Sequence, residues 1–475
     1  MSCAARVAFL IAVIAVADID SIQNHERSTD LYDLVISNGR VIDPESGTDA
    51  IRNVGIREGK IRIVSTDRLD GRDTIDASGL VVAPGFIDLD SYAHLARFSV
   101  QDGVTTALDI RLGTADVNRW YAEHKKILIN LGVGVGYSLV REEVMGQTGR
   151  LDQDRLTEAS ISQLSEILRR IQEGLDEGAV GVGMGPSLRW SPPSWELLET
   201  LRIAAEQKAP VVTTVRDAIW RVTDVPAILS EIIGAATISG AAIHIPHLGS
   251  SGGPHIPRML TMIERARMRG LDITAEDYPY TEAVVELGPL DVELSDAELQ
   301  DVEVIATGER LNRWNLKAYS AAHAVAIAHN NWIEPFLVEV IKSPFTSIAS
   351  HGYIDKEGRG HPRTSGTYSR VLGRYVREQR ALPLMDAVRK MTLMPARRLE
   401  ARVPGMHNKG RIRDGADADI VVFDANRIID RATFKEPTFP PDGILHVLVN
   451  GVPVVRDRLV QEGVYPGQPV RASRK

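Results

Sequence analysis

The sequence predicts an α/β fold, in which a (β/α)8 TIM-like barrel is accompanied by a small β-sandwich that both chain ends form. Three observations predict it. From Pro84 onward, eight short apolar segments alternate with longer segments of helical periodicity, which is typical of a closed parallel barrel. Short β-branched runs precede Pro84, and similar runs return after Gly410. Strands on both sides of a barrel indicate one composite β domain.

The first residues have the pattern of a secretory signal peptide. Arg6 precedes the unbroken apolar run VAFLIAVIAVA at residues 7–17, whose last three residues are small enough for cleavage. The run is too short for a comfortable permanent membrane span. We therefore expect residues 1–17 to be removed and the protein to be exported, either to the periplasm or outside the cell. If the run instead reflects a misassigned start codon, the protein is cytoplasmic.

Cysteine chemistry is excluded by the same reasoning. The only cysteine, Cys3, lies before the apolar run, so removal of the leader leaves a mature chain without cysteine. Neither a disulfide framework nor a cysteine nucleophile is then possible.

The β domain is predicted from two separated segments, residues 31–83 and 405–475. In the first, short β-branched runs are closed by the turn Ser37-Asn38-Gly39 and by a hairpin turn at residues 57–59. In the second, strands are expected at 418–423 and 445–450, and the last is followed by a tight turn at Asn450-Gly451.

The barrel is predicted over residues 84–404. Its strand candidates are residues 86–89, 105–110, 134–139, 181–184, 211–215, 242–245, 273–275 and 346–349. Helices are expected between them, for example at 160–177 and 257–269. In the first of these, isoleucine and leucine recur at helical spacing.

Composition excludes some classes of partner. The 475 residues include 44% hydrophobic and 25% charged residues, as expected for a globular protein, and the formal net charge is −8. Nucleic acid and anionic membrane both need a basic face, so neither is expected as a partner. A small molecule remains the expected ligand, and the composition leaves the oligomeric state open.

Several motifs carry a resemblance to a known family. They are VAPGFID (82–88), DGVTTAL (102–108), HIPHLGSSG (244–252), DYPYT (277–281), HPR (361–363), RVLGRYVRE (370–378), KGRI (409–412) and GADADIVVFD (415–424). Together they resemble the amidohydrolase superfamily, and the interior motifs resemble its N-acyl-D-amino-acid deacylase branch, which includes D-aminoacylase and N-acyl-D-glutamate deacylase. The resemblance runs from about residue 31 to 469.

The resemblance implies a hydrolase that acts on a carbon–nitrogen amide bond and uses zinc or another divalent metal. Such an ion polarises the carbonyl and lowers the pKa of a bound water to about 7. The family's ligands lie at the carboxyl ends of barrel strands. This sequence departs from the family pattern, because it carries Asp90-Ser91-Tyr92 in place of His-x-His, Asp109-Ile110-Arg111 after strand two, Thr214 in place of a histidine, and His351 in place of the late aspartate, while His247 is retained.

Two interpretations follow from these departures. In the first, Asp90, Asp109 and His247 hold a rebuilt metal site, and His351 is the catalytic residue that moves protons. In the second, the metal site is lost, and the chain is a catalytically inactive barrel that binds a ligand or a partner. A third possibility is a metal-free hydrolase with His351 as its base.

Two residues are predicted to bind substrate. By resemblance, Arg363 in the HPR motif is the clamp for the substrate carboxylate, and its planar guanidinium suits bidentate binding of that group. Tyr280 is expected to donate a hydrogen bond at the same site. The implied substrate is a small N-acyl amino acid or a similar amide.

Overall fold

The computed structural model describes residues 31–146, 158–185, 193–215, 225–287, 294–329 and 334–474. The predicted leader, residues 1–17, lies outside the described residues. No helix within the described ranges is both long enough and apolar enough to cross a membrane.

Both chain ends build the β domain, as the sequence predicts. Its strands are Tyr32–Asp43, Thr48–Arg57, Lys60–Ser65, Gly71–Asp76, Val81–Pro84, Ile420–Phe423, Ile444–Val449, Val452–Arg456 and Leu459–Val460. They form one hydrogen-bonded sheet in which Val81–Pro84 pairs with Tyr32–Asp43 on one side and with Ile420–Phe423 on the other. Apolar side chains from both ends, among them Ile36 and Val422, pack in a common core.

The barrel contains eight parallel strands in sequence order. They are Phe86–Asp88, Val104–Thr114, Asn130–Gly136, Val182–Gly183, Val211–Val212, Ile243–Ile245, Ile273–Asp277 and Thr346–Ile348. The eight predicted strands are therefore confirmed, although their ends differ. Residues 137–139, which were expected to extend the third strand, begin the helix Tyr137–Met145 instead. Beyond the eighth strand, His351 N donates to Asp90 O at 3.0 Å, which joins the last strand region to the first.

Helices cover the outside of the barrel. The described α-helices are Ala96–Gln101, Val117–Glu123, Tyr137–Met145, Ile161–Asp176, Ser194–Glu206, Val225–Ser239, Leu248–Gly252, Ile256–Met268, Asp296–Gln300, Leu316–Ala321, Glu334–Lys342, Arg363–Arg370, Leu384–Met391 and Leu393–Glu400. Ile161–Asp176 shows why the periodicity works, because Ser160 and Gln163 form a capping box at its start and its apolar face, including Ile167 and Ile171, is buried.

A small three-stranded antiparallel sheet lies between barrel strands seven and eight, and the sequence patterns did not predict it. Its strands are Glu282–Glu286, Val302–Val304 and Val325–His329, and it has its own apolar core. His329 contacts the ring of Phe434, which in turn contacts His361, so this insertion reaches the region of the HPR motif.

Candidate functional site

Polar side chains from several barrel strands meet at the carboxyl ends of these strands. Asp90 follows the first strand, Arg111 lies near the end of the second, His247 follows the sixth, Asp277 ends the seventh and His351 follows the eighth. Parallel strands of a barrel end at one face, and that face carries the active site in barrel enzymes. The predicted site residues therefore lie on the expected face of the fold.

Arg111 is the centre of this cluster. Its Nε donates to both carboxylate oxygens of Asp90, at 3.1 and 3.0 Å. Its Nη2 donates to the hydroxyl of Tyr92 at 2.8 Å and lies 2.8 Å from His351 Nε2. Asp90 and Arg111 are only 2% and 3% exposed. The pair is thus a buried ion pair, in which a charge-assisted hydrogen bond is stronger than in water.

His247 and His351 stack against each other, with ring centroids 4.9 Å apart. Both have positive φ, 38° and 48°, a region that non-glycine residues rarely adopt and that concentrates at functional sites. Burial lowers the pKa of His247 to about 3, and the nearby charges of Arg111 and Arg363 add to this effect. The pKa of His351 is well below its usual value for the same reasons. Both imidazoles are therefore neutral at pH 7.

The neutral state of His351 limits its chemistry. Since Arg111 has only donors, His351 Nε2 must accept the hydrogen bond between them. Nδ1 then carries the proton, and it has no hydrogen-bond partner among the described residues. In this arrangement, the basic nitrogen of the predicted catalytic histidine is occupied.

Asp109 lies beside Asp90, with which it forms an isolated β-bridge, and its charge acts on Arg111. Its Oδ1 accepts a hydrogen bond from Gly113 N at 3.0 Å. Burial raises its pKa to about 7, and the negative charge of Asp90 adds to this shift. Asp109 is therefore a neighbour of Asp90 whose carboxylate is bonded to its own loop.

A divalent metal does not fit this set of residues. Asp90 and His351 Nε2 are engaged by a guanidinium, and Asp109 binds a backbone amide. His247 bonds to Ser251 Oγ at 2.9 Å through Nδ1, so its Nε2 remains one donor for a metal. Within the described ranges, no group of three or more His, Cys, Asp or Glu side chains could hold a metal ion. A catalytic zinc site needs at least three protein donors. The structure does not bring Asp90, Asp109 and His247 together as such a set.

Arg363 is placed differently from Arg111. It begins the helix Arg363–Arg370, and its side chain is 1% exposed. Its Nε and Nη1 contact no acceptor among the described residues. The guanidinium carbon lies 4.4 Å from the centre of the Tyr278 ring. Burial lowers the pKa of Arg363, and Tyr278 and the negative charge of Asp90 offset part of this effect.

Tyr280, the other predicted substrate residue, lies in a separate network. Its hydroxyl donates to Asp430 at 3.3 Å, and Arg370 lies over its ring at 4.4 Å. Arg370 is itself paired with Asp430 at 2.9 Å. The structure thus places Tyr278, rather than Tyr280, against Arg363.

Buried carboxyl groups surround the mouth, and sequence reasoning missed them. Asp88 Oδ1 accepts hydrogen bonds from Asp90 N and Ser350 N, and burial raises the pKa of Asp88 to about 6. Asp277 Oδ2 accepts a hydrogen bond from Gly249 N at 3.1 Å, and burial raises the pKa of Asp277 to about 8. A Cβ at position 249 would overlap Asp277 Oδ2, which explains why a glycine follows the His-Leu pair there.

Other residues that the sequence patterns did not single out also line the site. Arg111 and Tyr92 lie in the segments where the family has metal ligands, so a cation and a hydroxyl at these positions are their signal in the sequence. Tyr278 lies in the DYPYT motif, which carries no such signal.

Comparison with known proteins identifies the class. A family model described as "Amidohydrolase family" matches residues 355–455. N-acyl-D-glutamate deacylase of Alcaligenes xylosoxydans xylosoxydans is 29% identical, covering 89% of this chain and 93% of its own length. D-aminoacylase of the same organism is 27% identical, covering 92% and 96%.

Solved structures agree with the sequence relatives. N-acyl-D-glutamate deacylase from Bordetella bronchiseptica, complexed with zinc and a phosphonate inhibitor, has 27% identity and a TM-score of 0.81 over 93% of this chain and all of its own. A D-aminoacylase structure has 25% identity and a TM-score of 0.79 with the same coverage. These relatives are deacylases, hydrolases that act on carbon–nitrogen amide bonds, and the chain shares their fold. Over about nine tenths of its length the chain is similar to N-acyl-D-glutamate deacylase and D-aminoacylase, and its C-terminal part matches the amidohydrolase family.

Proposed function

We propose that this protein binds an N-acyl-D-amino acid at the mouth of its barrel, with the substrate carboxylate on Arg363, and hydrolyses the amide bond. The similarity of most of the chain to deacylases of N-acyl-D-glutamate and other D-amino acids supports the substrate class. The single observation that carries the proposal in this chain is the buried, unpaired guanidinium of Arg363.

An unpaired buried charge is costly, because desolvation is not offset by an ion pair. The Nε and Nη1 atoms of Arg363 have no acceptor among the described residues, and Tyr278 contacts the guanidinium through its ring face and a side-chain hydrogen bond. A carboxylate would supply the missing negative charge and accept hydrogen bonds from the free guanidinium nitrogens. The free protein is therefore poised to bind a small carboxylate at this position.

In the proposed reaction, a water oxygen bonds to the acyl carbon and the carbon–nitrogen bond breaks. Both protons of the water end on the leaving amine nitrogen, and the products are a carboxylate and a free amino acid with its ammonium group. The described residues do not fit a divalent metal, so no step depends on one. His351 stays a predicted catalytic residue, and it could accept a proton only after its Nε2 is released from Arg111.

A second candidate function is ligand binding without turnover. The observation that favours it is the Asp90–Arg111 ion pair. Asp90 stands where the family has its first metal ligands, and the pair keeps its carboxylate engaged. This alternative keeps the role of Arg363 and removes only the chemical step.

The test separates binding from turnover. The protein, purified without added metal, is incubated with N-acetyl-D-glutamate, its L-enantiomer and its α-methyl ester, and amine release and binding heat are measured. Hydrolysis of the D-enantiomer supports the first function, whereas binding without amine release supports the second. Binding of the methyl ester as tight as that of the free acid would overturn both, since it would remove the role of Arg363. Absence of any binding would also overturn them.

A further inference from the structure

The side chain of Arg111 fills the space between the ends of barrel strands one, two and eight. It contacts an acidic group, a phenol and an imidazole at once, through Asp90, Tyr92 and His351. Two of these partners follow the first and the eighth barrel strands, which meet where the barrel closes. There, His351 N donates a backbone hydrogen bond to Asp90 O. These three side chains together hold the guanidinium in one position.

A guanidinium and a divalent cation compete for the same partners. Arg111 carries a permanent positive charge and engages both oxygens of Asp90 and the only basic nitrogen of His351. A metal ion would need those same lone pairs, and it would be repelled by a positive charge at hydrogen-bond distance from its ligands. Displacing Arg111 would leave its charge unpaired in a site that is 3% exposed.

We propose that Arg111 takes the place of a divalent cation in this protein, as the fixed positive charge of the barrel mouth. The native protein then binds no metal at this position, and Asp90, His351 and the neighbouring His247 become available as three donors only when the guanidinium is removed. This inference concerns the same site as the proposed hydrolysis. Either one can fail while the other stands. The test of this inference measures metal content and melting temperature, whereas the test of the proposed function measures turnover and binding.

The test begins with the native full-length chain. The protein is loaded with excess Zn²⁺, dialysed and analysed for bound metal, and we expect less than roughly 0.1 Zn²⁺ per chain, since fewer than three free donors are present. Chelator treatment should leave its melting temperature unchanged. A stoichiometric metal that survives dialysis would overturn the proposal directly, and this measurement does not depend on any variant.

The variant Arg111→Ala supplies the positive result. Without its partner, Asp90 is left buried and unpaired, so the metal-free variant should melt at a lower temperature than the native protein. Zn²⁺ or Co²⁺ should then raise its melting temperature, and its apparent affinity for the metal should exceed that of the native protein by at least about tenfold. Co²⁺ adds a spectroscopic signal, because its visible absorption reports ligand binding.

Two controls separate a vacated cation site from a general loss of structure. Arg111→Ala/Asp90→Asn removes the carboxylate as well, so it should fold without gaining metal affinity. Arg398→Ala breaks another arginine–aspartate pair, with Asp272 at 2.6 and 2.8 Å, at the opposite end of the seventh barrel strand. If Arg398→Ala gains as much metal affinity as Arg111→Ala, or if Arg111→Ala folds and gains none, Arg111 does not stand in for a cation.

Discussion

Replacing Arg363 with methionine should have opposite effects on ligand binding and on folding stability. In the free protein the guanidinium is buried, its Nε and Nη1 have no acceptor among the described residues, and it contacts Tyr278 through the ring face and a side-chain hydrogen bond. If a residue serves binding at the expense of stability, its replacement weakens binding and stabilises the free protein. If a residue serves the fold, its replacement destabilises the free protein.

The expected magnitudes follow from these contacts. Loss of a bidentate, desolvated carboxylate–guanidinium pair should weaken binding by about 3 kcal/mol, or about 150-fold. Methionine removes an unpaired buried charge but also forfeits a cation–π contact, and these two terms should leave the free protein more stable by about 1 kcal/mol. A matched control is Arg370→Met. Arg370 also lies 4.4 Å from a tyrosine ring, yet it is paired with Asp430 and bonded to Pro279 O, so its loss should destabilise the protein by about 3 kcal/mol.

The assay is denaturant unfolding of both variants beside isothermal titration with N-acetyl-D-glutamate. We expect Arg363→Met to unfold at a higher denaturant concentration than the native protein and to bind the ligand far more weakly. Arg370→Met should unfold at a lower concentration. If Arg363→Met is destabilised as much as Arg370→Met, the guanidinium has a structural partner and the reasoning fails.

Three further substitutions test other parts of the structure. Tyr280→Phe removes a hydroxyl that bonds to Asp430, so stability should fall by about 1 kcal/mol while KM stays unchanged; a tenfold rise in KM would instead place Tyr280 on the substrate. Gly249→Ala places a Cβ against Asp277 and should lower kcat/KM about 10- to 100-fold, and an unaltered value would contradict the close packing. Burial lowers the pKa of Lys390 to about 8 from 10.5, so the unfolded chain binds more protons between these values. The stability of the native protein relative to Lys390→Met should therefore rise from pH 8 to 10.5, as measured by unfolding at each pH, and a flat difference would refute the shift.

The fold was accessible from the sequence because its strands are short and apolar. Each of the eight barrel strands coincides with a predicted segment, since buried parallel strands carry continuous apolar runs. Residues 137–139 were predicted as strand but are helical. An apolar run that continues from a strand into a buried helix shows no break in periodicity, so the sequence does not mark the boundary. The insertion that contains Val302–Val304 was missed because glutamates flank or interrupt the apolar residues of Glu282–Glu286 and Val302–Val304, so no continuous apolar run marks these strands.

The candidate site was only partly accessible. Motif positions indicated that Asp90, His247 and His351 lie at one end of the barrel, and the structure places them there. The pairing of Asp90 with Arg111, 21 residues apart, depends on the side-chain directions of two neighbouring strands, which sequence spacing does not determine. The choice between Tyr278 and Tyr280 as the neighbour of Arg363 likewise depends on tertiary packing that no local pattern encodes.

The β domain has a consequence for how the chain reaches its final state. Val81–Pro84 is held between a strand from the beginning of the chain and Ile420–Phe423, more than three hundred positions later. During synthesis, the edge of Val81–Pro84 that pairs with Ile420–Phe423 stays unpaired until most of the polypeptide has been made. Contacts of such long sequence separation form slowly. Deleting either terminus should therefore leave an open strand edge that invites aggregation, so an independent barrel could not be obtained simply by trimming the ends.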